Sequence, residues 1–209
     1  MAKQTFLNLQ PKKKAIFKEA VYQLFSSRAY ETIGIRDITE AAGIALGGFY
    51  RYFDDKDEMF LDLFCEIESR LIEKDILDLG DQLVFNEVLD AESIQLMLTP
   101  LEAAFGETFY RLPDNVLYKY YFQGYAENVY HGYRNFFASL EERGGLKEGM
   151  NAEFAFYCYI TSFFNFLIYV RRLNMNTSES IFRMKKVFFK ETVMPGIVKP
   201  DELARIYSS

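Results

Sequence analysis

The 209-residue sequence predicts an all-α protein. Three observations carry this. Apolar residues recur at three- and four-residue steps along most of the chain, and no stretch alternates apolar and polar residues for long enough to make a strand. Glycine, proline and aspartate also interrupt the helical runs at regular intervals, as helix stops and starts do. About nine helices are expected, in a three-helix N-terminal domain over residues 1–55 and a larger helical domain over residues 56–209.

The first helix runs from Pro11, which suits a first turn, to about Phe25, with Phe17, Val21, Leu24 and Phe25 on its apolar side. A short second helix spans Ile35 to Ala42 and stops at Gly43. A third, about two turns long, spans Leu46 to Phe53. Asp54 and Asp55 cap a fourth from Lys56 towards Leu79, and Asp57 and Glu58 suit its N-terminal dipole. The pattern weakens after Gly80 and resumes as a helix from Ser93 to Phe105, with a turn at Gly106. Pro113 and Asp114 open the longest helix, which ends near Arg143 at Gly144-Gly145. Two more span Ala152 to Leu173 and Ser178 to Val193. Pro195-Gly196 ends the last of these, and the chain from Lys199 reads as a short polar tail.

Composition narrows the function classes. Cys65 and Cys158 stand far apart without neighbouring Cys or His ligands, so neither a disulfide framework nor a metal site is indicated, and a reducing cytoplasm is the expected setting. The run Phe154 to Val170 is uncharged but contains Thr161, Ser162 and Asn165 and falls short of the roughly 20 residues of a bilayer span; it reads as a buried helix, with no membrane partner. Net charge is −6, yet residues 1–56 carry nine Lys or Arg against six Asp or Glu, and the remainder fifteen against twenty-four. A local basic face is all that a phosphate-binding surface needs.

The segment Ile35 to Phe53 has the spacing of a helix-turn-helix. Ile38 and Ala42 pack the first helix, Gly43 takes the left-handed conformation of a tight turn, Ile44 plugs the corner, and Phe49 and Phe53 face the core. The outer face of the third helix is left free, and a helix of that diameter fits the major groove. From Lys12 to Phe64 the sequence resembles the DNA-binding domain of the tetracycline-repressor (TetR) family. The resemblance is carried by Ala20 and Phe25, Tyr30-Glu31, Ile35-Arg-Asp-Ile38, Glu40-Ala-Ala-Gly-Ile44, Gly47, the run Phe49 to Phe53, and Lys56-Asp57.

That resemblance implies double-stranded operator DNA as a partner. By position it makes Tyr50, Lys56 and Arg36 phosphate contacts, and leaves Gly47, Gly48, Arg51 and Tyr52 to meet base edges, with Arg51 able to grip guanine bidentately. The plainer readings are a surface ion pair for Arg36 and Arg51 and packing for Tyr50. The sequence departs from the family pattern at Ala45, Leu46 and Gly48, where hydroxyl or lysine donors are common, at Ile33 and Gly34, and at Thr39. Fewer hydrogen bonds and more apolar or shape readout follow, with Leu46 against a thymine methyl. Lys12 to Lys14 fit either phosphate neutralisation or a solvated helix start, and Lys3 a flexible, solvated arm.

Beyond Phe64 only the helix plan resembles the family. Tyr118, Tyr121, Phe122, Tyr125, Phe154, Tyr157, Phe163, Phe164 and Phe166 read mainly as core. The resemblance adds a small-molecule effector cavity, for which Tyr118, Tyr121, Tyr125 and Asn165 are the polar candidates. His131 reads as a surface histidine. The last two helices are apolar on more than one side, which implies a homodimer interface. No phosphate loop, dinucleotide fingerprint, metal cluster or nucleophile-base motif is present, so catalytic residues and cofactors are not expected. The expectation is a ligand-responsive DNA-binding regulator; the alternative is a ligand-binding or scaffolding helical dimer that has lost specific DNA binding.

Overall fold

The computed structural model describes residues 2–79, 97–173 and 178–208, and their fold is helical throughout apart from one isolated bridge pair, Leu146 with Val198. The described residues form two compact units. Residues 2–70 and 97–125 make the first, and residues 71–79, 126–173 and 178–208 the second. The expected start of a helix at Ser93 lies outside the described residues.

In the first unit, α1 (Gln4–Leu7) precedes α2 (Pro11–Ser27), whose Phe17, Val21, Tyr22 and Phe25 are buried. A 3-10 turn (Tyr30–Thr32) leads to α3 (Ile35–Ala41). There the Asp37 carboxylate accepts the Gly34 N–H at 2.8 Å, satisfying one orphan donor of the first turn. The helix stops as expected: Gly43 has φ +63°, its N–H reaches the Glu40 carbonyl, and the Ile44 N–H reaches that of Thr39. This is a Schellman stop, and the left-handed residue it needs is the reason for glycine there. The second helix of the helix-turn-helix, α4 (Leu46–Tyr52), follows, then α5 (Lys56–Leu79), where Asp55 accepts the Glu58 N–H at 2.7 Å.

The segment 97–125 packs into this same unit. Thr99 and Glu102 form a capping box at the start of α6 (Pro100–Glu107), so Pro100 opens a new helix rather than lying inside the expected one. Phe105 of α6 meets Tyr22, Phe25 and Phe60, and the Thr108 hydroxyl donates to the Phe25 carbonyl at 3.1 Å. Next comes α7 (Asp114–Phe122). The single long helix expected from Asp114 to Arg143 is broken here, because Gly124 has φ +88°. The half-buried thiol of Cys65 donates to the Tyr125 carbonyl just beyond, at 3.3 Å, and burial pushes that thiol's pKa up.

The second unit contains α8 (Glu127–Glu142), which ends in another Schellman stop at Gly144 (φ +68°), and α9 (Ala152–Arg172), capped by Asn151 at 2.8 Å from the Phe154 nitrogen. Tyr133 of α8 and Phe189 pack against Tyr159 of α9 at a tilt, with centroids 5.1 and 4.8 Å away. By length and composition α9 is long and apolar enough to cross a membrane. Its stripe Ala155, Phe156, Tyr159, Ile160, Phe166, Leu167 and Val170 is buried inside this unit, while Phe154, Tyr157 and Tyr169 are exposed. The expected burial of this run therefore holds for one face only.

The helix α10 (Ser178–Phe188) continues into a π turn (Phe189–Val193) and α11 (Met194–Ile197). Pro195 has no N–H for the fourth preceding carbonyl, and a widened turn accommodates that loss. The expected polar tail is a helix, α12 (Pro200–Ser208), with Leu203 and Ile206 buried. It is anchored by the Lys199 N–H on the Gly145 carbonyl and by Glu202, which accepts from Arg143 and Arg205.

Candidate nucleic-acid interface

The helix α4 is weak by composition. It has seven residues, two of them glycines, and no side-chain cap from Ala45. Each interior glycine costs about 1 kcal/mol against alanine, and so short a helix does not stand alone in water. Packing holds it: Phe49 is fully buried, and Phe53 follows into the same cluster at 5.9 Å. A Cβ added at Gly47 would meet nothing within 4 Å, and one at Gly48 only the Ile44 side chain at ordinary contact distance. Neither glycine is demanded by packing inside the head.

Burying Phe49 leaves the opposite face outward. Leu46 is 44% exposed and Tyr50 47%, Gly47, Arg51 and Arg36 are exposed, and Gly48 is half-buried. No ion pair engages Arg36 or Arg51 among the described residues, which removes the surface-pair explanation for both. Arg28 instead takes the local carboxylate, donating to Asp37 at 2.7 Å. That hydrogen bond, with the Gly34 N–H, holds the Asp37 carboxyl below the usual carboxylate range. Tyr50 touches Phe49 edge-on at 5.6 Å, but its exposed ring is not core. Lys12 and Lys13 are exposed, whereas Lys14 is half-buried with its ammonium 5.2 Å from the Phe6 ring centroid.

Two of the expected contacts are placed differently from the rest. Tyr52 is half-buried, its ring 5.6 and 6.1 Å from those of Phe6 and Phe17. Lys56 turns inward: its ammonium donates to the carbonyls of Tyr30 and Ile33, both at 2.8 Å, and lies 4.2 Å from the Tyr30 ring centroid. Desolvation lowers its pKa. This lysine ties the chain entering α3 to the start of α5.

Beside it stands a charge relay that the sequence did not reveal. The Tyr30 hydroxyl donates to Asp57 at 2.6 Å, and the other oxygen of Asp57 accepts from Lys119 of α7, also at 2.6 Å. Asp55 lies 3.4 Å from the same ammonium. Partial burial opposes the charge on Lys119, but the two carboxylates outweigh it and raise its pKa. Burial, then the bond to Asp57, raises that of Tyr30. Helix spacing cannot pair residues 57 and 119; only the packing of α7 on α5 does so.

The effector candidates divide between the units. Tyr118, Tyr121 and Tyr125 belong to the first: Tyr118 is 50% exposed, Tyr121 is buried and Tyr125 half-buried. Asn165 belongs to the second and lines an open groove of about 410 Å³ with Phe166, Tyr169, Met184 and Phe188. Tyr118, Phe122, Phe154 and Tyr157 are exposed and so depart from the expected core assignment, whereas Tyr121 and Phe166 keep it. His131 is on the surface beside Asn135, as expected.

Comparison with known proteins is consistent with this geometry. A family profile described as bacterial regulatory proteins of the tetR family matches residues 13–63. An uncharacterized HTH-type transcriptional regulator of Bacillus subtilis, YwcC, is 32% identical over 115 residues, 54% of this chain and 45% of that protein, so the match spans less than half of the relative's length. Among solved structures, SmeT, the repressor of the Stenotrophomonas maltophilia multidrug efflux pump SmeDEF, superposes with a TM-score of 0.53 at 13% identity, covering 93% of each chain. The fatty acid degradation regulator FadR of Bacillus halodurans superposes with a TM-score of 0.52 at 16% identity, covering 87% of this chain and 95% of that one. These likenesses show a shared helical fold, and residues 13–63 match the helix-turn-helix region of the tetR family of bacterial regulatory proteins.

Proposed function

We propose that the protein is a cytoplasmic, ligand-responsive repressor that binds a pseudo-palindromic operator as a homodimer and leaves it when a small apolar or aromatic effector binds. The observation that carries the DNA reading is the outward face of α4, with Arg51 and Tyr50 exposed on it and Arg36 exposed on α3. On DNA, Arg51 reads a guanine edge, Leu46 meets a thymine methyl, and Arg36 and Tyr50 hold phosphates. Gly47 and Gly48 let the backbone approach the duplex closely, which fits glycines that internal packing does not require. Tyr52 and Lys56 buttress the reader, with Lys56 offering its remaining N–H to a phosphate. Function thus divides the chain near residue 55, although residues 97–125 pack with the head.

Dimerisation through α9 and α10 is supported by their exposed apolar side chains. Phe154, Tyr157 and Tyr169 on α9 and Val187 on α10 are each about half exposed or more, and the groove around Asn165 is apolar. The effector acts through α7, whose Tyr118, Tyr121 and following Tyr125 are its polar contacts. Movement of α7 pulls on Lys119, and through Asp57 and Tyr30 on the turn that enters α3, so half-site spacing responds to the effector.

The test is binding of the purified protein to DNA flanking its own gene and to unrelated DNA across a salt series, beside Tyr50→Ala and Arg51→Ala. Specific binding that falls with salt and weakens in both variants is expected. Binding indistinguishable from unrelated DNA at every salt, with no site recovered by selection from random sequences, points instead to a scaffolding or sensing dimer.

A further inference from the structure

The chain ahead of α2 packs into the first unit. Instead of the flexible, solvated arm expected around Lys3, residues 2–7 form an anchored turn of helix. Phe6 is 1% exposed, with ring centroids 5.3 Å from Phe17, 5.6 Å from Tyr52 and 4.7 Å from Phe53. The Ala2 N–H donates to Asp62 of α5 at 2.9 Å. Lys3 meets the C-terminal end of α4 twice: its backbone N–H donates to the Tyr52 carbonyl and its ammonium to the Tyr50 carbonyl, both at 2.8 Å. The same ammonium pairs with Asp54 at 2.5 Å.

These contacts fall where α4 needs them. The last carbonyls of a helix have no partner within it, and a cation there complements the dipole. With no cap at Ala45 and glycine at two of seven positions, α4 has little order of its own. We propose that residues 2–7 are a positioning element for the DNA reader, in which Lys3 clasps the C-terminal carbonyls of α4 and Phe6 wedges beneath Tyr52 and Phe53. The proposal rests on α4 being the DNA-contacting helix. Lys3 is here a positioning residue that acts through α4, not a phosphate contact.

The experiment is hydrogen exchange on the full chain without DNA, with operator binding measured in parallel, for Lys3→Met, Lys3→Arg and Lys3→Met with Gly47→Ala. Lys3→Met keeps the backbone bond to Tyr52 and removes only the ammonium. Amides 50–53 should then exchange about tenfold faster, the loss expected for one charged helix-end contact. The denaturation midpoint should stay near wild type, and operator affinity should fall without change in its salt slope. Lys3→Arg should restore protection, as should Gly47→Ala in the Lys3→Met background, by roughly fivefold from helix propensity alone. Unchanged exchange in Lys3→Met overturns the proposal. So does an affinity loss with unchanged exchange and a salt slope smaller by about one, which would make Lys3 a phosphate contact. If the wild-type chain binds no specific DNA, the reading of α4 as a DNA contact fails, and exchange still decides whether Lys3 orders the helix.

Discussion

The reading helix α4 and the long helix α9 are built on opposite terms. The sequence of α9 stabilises it from both ends, with Asn151 at its N-cap, Arg171 and Arg172 in its last turn and a continuous buried stripe between. The sequence of α4 does little for it: two glycines, no cap bond, and one fully buried side chain. Its order comes from Phe49 below, the Schellman turn before it and Lys3 behind it. A helix held from one side keeps the other side free for recognition, whereas a self-sufficient helix suits an interior layer or an interface.

The largest expected effect that sharpens this contrast is Phe49→Ala. Deleting the one fully buried ring of α4 should cost about 3–5 kcal/mol in chemical denaturation, with operator binding lost. A loss below about 1 kcal/mol would mean that α4 is not hung on that ring. Next, Arg51→Ala should remove roughly 1–3 kcal/mol of discrimination at one base pair, while Arg36→Ala weakens all sequences alike and lowers the salt slope by about one. Binding assays on single-base operator variants separate the two. Equal behaviour of both variants would break the division into base and phosphate contacts.

The helix caps test the comparison itself. Asn151→Ala should destabilise by about 1 kcal/mol, and Ala45→Ser should stabilise by up to about that much, because Ala45 gives the first turn of α4 no side-chain acceptor. If Ala45→Ser is neutral in thermal unfolding, α4 needs no cap and its neighbours order it completely. The smallest effect is a pH dependence. Arg28 and the Gly34 N–H hold Asp37 below its unfolded pKa, so its contribution is complete above the ordinary carboxylate range and is lost as pH falls through the lower folded value. The unfolding midpoint of Asp37→Asn should therefore converge with that of wild type on acidification and fall behind it above that range.

The helix-turn-helix was legible because its signals are local. Gly43 after an apolar turn, the Phe49 to Phe53 spacing and the Asp55 cap each act within four or five residues, and each is found where the spacing put it. The break at Gly124 has its left-handed φ as the direct sign, and the buried stripes on either side, Leu117, Tyr120 and Tyr121 before it and Tyr133, Phe137 and Leu140 after it, would fall about half a turn apart on one continuous helix. The helix at Pro200–Ser208 was hidden because Leu203 and Ile206 are too few to make a stripe until the rest of the second unit covers them. Arg36, Tyr50 and Arg51 were legible as candidates, but whether they were paired or buried was not.

By itself the sequence determined the all-α class, the helix-turn-helix and the stops at Gly43 and Gly144, since helix periodicity and capping are set by neighbours along the chain. Only the tertiary structure decided that residues 97–125 pack with the head, that Lys56 turns inward to two carbonyls, that Lys119 joins Asp57 across 62 positions, and that Lys3 clasps the end of α4. Those contacts join residues distant in sequence. Which lysine meets which carbonyl or carboxylate follows from how the helices pack, and periodicity along one helix carries no record of that.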